Sequence, residues 1–402
     1  LVRMVLYATA RICLFCLWYV LLPARLHAAV NCGGHYSPTC AECPQGHGEV
    51  WCNGECIWSI DRCVARWAHG EEVLPERFNI PRDTRASGCP RKPDAVAPDV
   101  SVSIIIPWHQ EKWLHLRDTL QSLLYYTPDD LVEEYIFVSD GNSNSREPDL
   151  AAMSPKAKTF SLPERQGLIR AKALGVAKAT APVIMFLEAH CIVNRYWLQP
   201  LLQRLELHPK ALVMPVLDRI PQDDWKEYHP ATTAMHWRFE WNMNLIFSNP
   251  GGVLRDDATE PYTSPGTSGG IFAMRREWFN ELGFFDMGML EWGGDHVELS
   301  FKTWRCGGRI EMVPCSRIGH LFRDPQHRPY PVSVNQVVKN YDRLARIWWV
   351  DHLEYFHRMK PEAVNMVHDN LDEMYGRYQE LNRKLGCRDH KWYMDKFRCP
   401  MG

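Results

Sequence analysis

The sequence predicts an α/β fold: a doubly wound, mostly parallel sheet preceded by a small disulfide-rich module. Two observations predict it. From Ser101 onward, short β-branched runs alternate with segments of helical periodicity, and before that point cysteines crowd together among glycines. At 402 residues the length suits one large domain and a small one, and 46% hydrophobic residues is enough for a packed core. Lys plus Arg number 46 against 48 Asp plus Glu, a formal charge of −2. No basic excess is present to neutralise a phosphate backbone, so no nucleic-acid partner is expected.

Residues 1–30 read as a targeting segment. Arg3 and Arg11 precede the apolar run Ile12 to Leu22, and Pro23 and Arg25 close it. As a signal-peptide core this run has the right length; extended back to Met4 it becomes a signal anchor, which leaves a membrane attachment at the amino terminus open. Both readings place the rest of the chain in an oxidising lumen. Residues 31–66 follow as the cysteine-rich module, with Cys32, Cys40, Cys43, Cys52, Cys56 and Cys63 separated by glycines. Disulfides are the favoured reading; zinc is the alternative, since Cys40-x-x-Cys43 is a ligand pair beside His35 and His47. The Pro- and Arg-rich segment 67–98 lacks periodicity and reads as a linker to the large domain, 99–402.

Within that domain Ser101-Val-Ser-Ile-Ile-Ile106 is a buried-strand signal ended by Pro107. Trp113, Leu116, Leu120 and Leu124 recur at helical spacing. Tyr135 to Val138 is a second strand, Gln166 to Lys178 a helix, Val183 to Leu187 a strand, Trp197 to Leu207 a helix and Ala211 to Val216 a further strand. Such sheets bind ligands at the carboxyl ends of their strands.

The candidate chemistry lies at those ends. Glu188-Ala189-His190 follows the strand ending at Leu187, and in an extended segment residues two apart point the same way, so one ion can take both side chains. Asp140 ends the second strand, where it can accept from a base or a ribose or simply form a turn before Gly141. Arg165-Gln-Gly167 opens a helix and offers a cation and free amides to phosphate. Gly269 and Gly270, in Thr267-Ser-Gly-Gly270, permit close backbone approach. Trp292-Gly-Gly-Asp295-His296 opens a helix whose Val297, Phe301 and Trp304 share one face, and presents an aromatic wall and a carboxylate. His320 and Arg323 supply a second imidazole and a guanidinium.

Taken in order, these segments resemble the polypeptide N-acetylgalactosaminyltransferase family, from about Cys89 to Cys399. The stretches Leu290 to Gly308 and Pro314 to Arg323 lie especially close to its pattern. The resemblance implies a GT-A fold, a Golgi-lumenal protein, and transfer of N-acetylgalactosamine from a UDP-sugar donor to Ser or Thr of a polypeptide acceptor with retention. It implies that Glu188, His190 and His320 hold Mn²⁺ and that Asp140 and Arg165 meet the nucleotide. Trp292 and Asp295 would then lie near the sugar and acceptor, with Arg323 and Tyr330 on a closing loop. It further implies Cys89–Cys315 and Cys306–Cys387 disulfides. Four departures stand out: Glu188 where the family has Asp, Asp295-His296 where it usually has Glu and Asn, Pro107 at a nucleotide-contacting position, and Ser268 where Ala is expected. No segment up to Gly402 corresponds to the family's ricin-like lectin domain. Two rival functions remain open: an inverting transferase acting on a glycan with Asp295 as general base, and a non-catalytic protein binding sugar nucleotides or glycans.

Overall fold

The computed structural model describes residues 30–32, 34–37, 40–51, 56–59, 62–65, 83–97, 99–225, 227–231, 236–240, 242–248, 259–323, 327–328 and 330–397. The targeting segment up to residue 29 and Cys52 lie outside them. Among the described residues no helix is long and apolar enough to cross a membrane. The chain divides into two compact units, residues 1–71 and 72–402.

Among its described residues the small unit contains two hairpins, β1 (Val30–Asn31) with β2 (Tyr36–Ser37) and β3 (Cys56–Ser59) with β4 (Arg62–Ala65), and two 3₁₀ turns, Cys40–Glu42 and Gly48–Trp51. Its core is made of cysteine side chains, with disulfides Cys32–Cys43 and Cys40–Cys56. Cys40 and Cys43 therefore belong to different disulfides and do not form a zinc pair.

In the large unit, parallel strands β5 (Val102–Trp108), β6 (Val132–Asp140), β7 (Ala157–Leu162) and β8 (Val183–Phe186) form one half of the sheet. The other half contains β10 (Ala211–Ile220) and β15 (Arg309–Leu321), parallel to each other. Antiparallel β14 (Phe272–Arg275) joins the halves, and short antiparallel β9 (Cys191–Val193) and β13 (Tyr262–Thr263) flank β15. A separate hairpin pairs β11 (His236–Phe239) with β12 (Leu245–Ser248).

Alternation along the strands sorts their side chains onto two faces. Ile105, Ile136, Val138, Ile184 and Phe186 meet one set of helices: α3 (Leu168–Lys178), α6 (Asp295–Arg305) and α7 (Val334–Trp348). Ile104, Ile106, Tyr135, Phe137 and Met185 face the other set, α1 (Trp113–Tyr126) and α4 (Gln199–Leu207). On α1 the fully buried apolar residues are Leu116, Leu120 and Leu123, each contributing about 1.5–3 kcal/mol by leaving water. The shorter helices α2 (Glu147–Met153), α5 (Arg276–Glu281), α8 (Leu353–Met359) and α10 (His390–Phe397) and the long α9 (Leu371–Leu385) complete the helices of the unit.

Two sequence expectations need correction. Pro107 does not end its strand, which runs on to Trp108. Ile105 turns its carbonyl toward β8, so Pro107, two residues on, turns its missing N–H the same way, past the last β8 residue Phe186. The segment read as a linker is not free over residues 83–97. Thr84 Oγ1 donates to Asp218 at 2.6 Å, the Ala97 amide donates to Glu206 at 2.6 Å, and Cys89 is joined to Cys315. Its lack of periodicity reflects irregular attachment rather than freedom.

Both disulfides implied for the large unit are present. Cα separations are 5.7 Å for Cys89–Cys315 and 4.0 Å for Cys306–Cys387, while Cys191 is buried and unbridged. Closing the longer loop is worth roughly 5 kcal/mol in the chain-entropy model.

Candidate active site

Glu188 and His190 converge, but through a turn rather than an extended segment: residues 189–190 form a turn between β8 and β9. Antiparallel pairing of β9 with β15 sets His320 opposite Cys191, and the Leu321 amide donates to the His190 carbonyl at 3.2 Å. The ligand atoms of Glu188, His190 and His320 thus lie within 4.8 Å of one another. Glu188 Oε2 is 3.0 Å from His190 Nε2 and 2.6 Å from His320 Nε2. Gly270 makes room for this carboxylate, since a Cβ there would stand 2.2 Å from Glu188 Oε1.

Glu111, which the sequence reading missed, organises the cluster. It follows the end of β5 and is nearly buried. Its Oε2 accepts from His190 Nδ1 at 2.9 Å, and its Oε1 lies 2.6 Å from Arg323 Nη2 and 2.7 Å from His115 Nδ1. A carboxylate only accepts, so His190 carries a proton on Nδ1 toward Glu111, and a cation placed between the rings and Glu188 would take the lone pair of Nε2. Burial pushes Glu111 upward, but His115, His190 and Arg323 together hold it well below the usual carboxylate range. Burial lowers His320 and outweighs Glu188, whereas for His190 the carboxylates of Glu111 and Glu188 prevail over burial and raise it.

These three side chains fit a divalent cation. One carboxylate oxygen and two imidazole nitrogens suit borderline ions, and metal–ligand bonds near 2.0–2.2 Å place neighbouring donors about 3 Å apart. His320 leaves Nδ1 buried with no hydrogen-bond partner while Nε2 faces Glu188.

A second group assembles around Asp140. Its two oxygens accept from the Gln166 and Gly167 amides at 2.6 and 2.9 Å, and the Leu168 amide donates to the Glu291 carbonyl at 2.7 Å. The helix-start amides expected to be open to phosphate are therefore taken. What remains is Arg165, which donates to the Pro331 carbonyl at 3.3 Å and sits 4.8 Å above the Tyr330 ring. Tyr330 in turn stands 5.3 Å from His109, whose Nδ1 contacts the Asp140 carbonyl at 2.5 Å. Residues 108–111 thus run from this group to the Glu188 cluster. Gly167 is obligatory here: φ is +89°, and a Cβ would meet the Glu291 Cα at 2.4 Å.

The Trp292 bend is clamped by Asn340 of α7, whose side-chain amide donates to the Leu290, Trp292 and Gly293 carbonyls. Trp292 is half-buried with Arg328 5.5 Å over its ring. Asp295 is not offered openly to solvent. Its Oδ2 pairs at 2.8 Å with Lys172, a buried lysine that also donates to the Gly269 carbonyl at 2.8 Å. Burial pushes Asp295 upward, yet Lys172 and then His296 pull it far below the usual carboxylate range. Lys172 was also missed. Its signal is a cation on the core face of α3, between Ile169 and Val176.

Beside His320 and Arg323 opens a cavity of about 910 Å³ lined by Leu217, Arg219, Trp237, Phe247, Phe322 and Arg323, among others.

Residues 103–283 match the family model described as glycosyl transferase family 2, and residues 252–327 match one described as the N-terminal domain of galactosyltransferase. The chain is 37% identical over 302 residues to polypeptide N-acetylgalactosaminyltransferase 10 of Homo sapiens, covering 74% of this chain and 49% of that protein. It thus spans about half the length of that curated relative. To the inactive polypeptide N-acetylgalactosaminyltransferase-like protein 5 of Macaca fascicularis it is 35% identical, covering 73% of this chain and 67% of that one. A crystal structure of GalNAc-T7 with UDP, GalNAc and Mn²⁺ superposes with a TM-score of 0.67 at 30% identity, over 74% of this chain and 57% of that one. The mixed, mostly parallel sheet is accordingly a GT-A fold. By fold, sequence identity and coverage, this chain belongs to the polypeptide N-acetylgalactosaminyltransferase family.

Proposed function

We propose that the protein transfers N-acetylgalactosamine from UDP to a Ser or Thr hydroxyl of a polypeptide, with retention, in the Golgi lumen. The observation that carries this reading is the convergence of Glu188, His190 and His320 on one point at the carboxyl edge of the sheet. In this reading they hold Mn²⁺, which supplies Lewis-acid neutralisation of the donor diphosphate when bound. Glu111 keeps His190 in the ligating tautomer and holds Arg323 beside the cluster, within reach of a diphosphate. Arg165, stacked on Tyr330, is assigned to the nucleotide, and Asp140 orders the turn that carries Arg165. Gly269 and Trp292 flank the donor sugar, with Asp295 fixed between Lys172 and His296. The neighbouring cavity, broad and partly aromatic, suits an extended polypeptide better than a compact hydroxyl compound. The acceptor hydroxyl enters on the face from which the diphosphate departs, and a diphosphate oxygen takes its proton, so no protein nucleophile is needed. The disulfides of both units support a secretory location.

The match of residues 252–327 to a galactosyltransferase domain favours a second reading, inversion with Asp295 as general base. Asp295 suits that role poorly, because its pairing with Lys172 leaves it little basicity. The relative named as inactive supports a third, non-catalytic reading. A screen of UDP-sugars with Mn²⁺, scored by UDP release, separates them. We expect turnover of UDP-GalNAc and an α-linked product by NMR. A β-linked product establishes inversion, and UDP binding without turnover of any donor establishes the non-catalytic reading.

A further inference from the structure

At the amino-terminal ends of β10 and β15, where Ala211 pairs with Arg309, lies a shallow cavity of about 450 Å³. Its walls carry His208, Lys210, Thr263, Arg309 and Lys396, and none of its described lining residues is acidic. The Glu188 cluster sits at the other end of these strands, beside the pair Ile220 and Leu321, roughly 30 Å away at ~3.3 Å per residue. This cavity is therefore separate from the proposed active site.

Its charge is unbalanced in a chain whose formal charge is −2. Glu311 lies behind the cavity and is shared by Arg204 and Arg309, while Glu281 reaches Lys210 only at 4.0 Å. Lys396 has no carboxylate within ion-pair distance among the described residues and instead lies 5.1 Å over the Trp304 ring. Among the described residues Arg204, Lys210 and Arg309 thus share two carboxylates, and Lys396 pairs with none. His208 Nε2 lies 3.0 Å from Arg309 Nη1, which can only donate, so the imidazole is neutral there and its proton is on Nδ1.

We propose that this cavity binds the sulfate or phosphate ester of a sugar. Arg309 and Lys210 supply charge-assisted donors for the oxyanion, and Lys396 approaches from α10. The volume exceeds what a bare ion needs and falls within the roughly 300–1,000 Å³ of small-ligand sites, which leaves room for one pyranose beside Trp304 and the Thr263 hydroxyl. A bound oxyanion would offset the Arg309 charge that, after burial, holds His208 below its usual value.

The test is an NMR titration of the full chain that follows the His208 imidazole, assigned with His208→Asn. The probes are N-acetylglucosamine 6-sulfate, the unsulfated sugar and inorganic sulfate. Saturable binding of the sulfated sugar should raise the His208 titration midpoint, with inorganic sulfate at least tenfold weaker and the unsulfated sugar silent. Lys210→Glu and Lys396→Glu should each weaken binding more than tenfold. Lys391→Glu, an exposed change on the same helix outside the cavity, should leave it within twofold. Equal affinity for inorganic sulfate overturns the assignment to a sugar ester. No response at His208, or equal losses in all three lysine variants, overturns the site.

Discussion

Among the described residues two clusters combine one carboxylate with two imidazoles, and they differ in how the rings meet the carboxylate. In the first, His190 and His320 both turn Nε2 to a single oxygen of Glu188. In the second, buried Asp342 of α7 receives His357 on Oδ1 at 2.7 Å and His368 on Oδ2 at 2.6 Å, with Arg346 also on Oδ2 at 2.8 Å. Here the rings and Arg346 are spread over both oxygens, so the imidazole nitrogens do not converge on one point. The second cluster is a hydrogen-bond hub that fastens α8 and residue 368 to α7. Glu111 adds a second carboxylate that accepts the His190 Nδ1 proton, the tautomer in which Nε2 would serve a metal. Residue types alone do not distinguish a ligand site from a hub; the convergence of the ring nitrogens on one oxygen does.

Four experiments break or sharpen this contrast. The largest effect is expected for Glu188→Gln. Removing the charge that opposes the metal should lower metal-dependent UDP release by roughly 1,000-fold, ~4 kcal/mol, while Glu188→Asp should retain activity with altered metal preference. Indifference to Glu188→Gln would remove this carboxylate from the coordination shell.

Asp342→Asn should act on stability instead. Three partners lose their acceptor charge, a cost of about 3 kcal/mol visible as a lowered denaturation midpoint, with metal affinity unchanged. A metal-dependent rescue of that variant would show that the two clusters are not distinct in kind.

Glu111→Gln should keep the fold but weaken metal binding by about 10–100-fold, measured by Mn²⁺ titration, since His190 loses the carboxylate that orients it. An unchanged metal affinity would mean that Glu111 serves Arg323 alone.

The smallest effect concerns His390, whose two nitrogens are buried without partners and whose basicity burial depresses well below normal. The unfolded chain gains a proton there below about pH 6.5 while the folded chain resists it. Stability should therefore be complete above that pH and fall by up to about 1.4 kcal/mol per pH unit beneath it. His390→Phe should flatten that slope in denaturation measured from pH 7.5 to 5.5, and an unchanged slope would assign the acid sensitivity elsewhere.

Much of the site was legible because one rule, an acid at the carboxyl end of a strand, picks out both Asp140 and Glu188. The same rule applied one residue run earlier finds Glu111, three residues after β5 ends at Trp108. Reading Pro107 as the strand's end hid it. Lys172 was hidden differently. A lysine in a helix reads as solvated until its neighbours place it on the apolar face, and its acceptor Asp295 lies 123 residues away. The helix-start amides near Arg165 were misjudged because Asp140, already identified, was not seen as their partner.

Sequence by itself determined what repeats locally. Short β-branched runs mark the strands, helical spacing assigns the apolar faces of α1 and α6, and clustered cysteines mark the small unit. Periodicity says which way a side chain faces but not which strand end it meets. Only the tertiary structure decided that Glu188 meets His320 across 132 residues and that Glu111 meets Arg323 across 212. Those meetings depend on β14 joining the two parallel halves and on β9 pairing back against β15. Such strand order is set by the packing of the whole sheet, because hydrogen-bonded edges and apolar faces must be satisfied together rather than element by element.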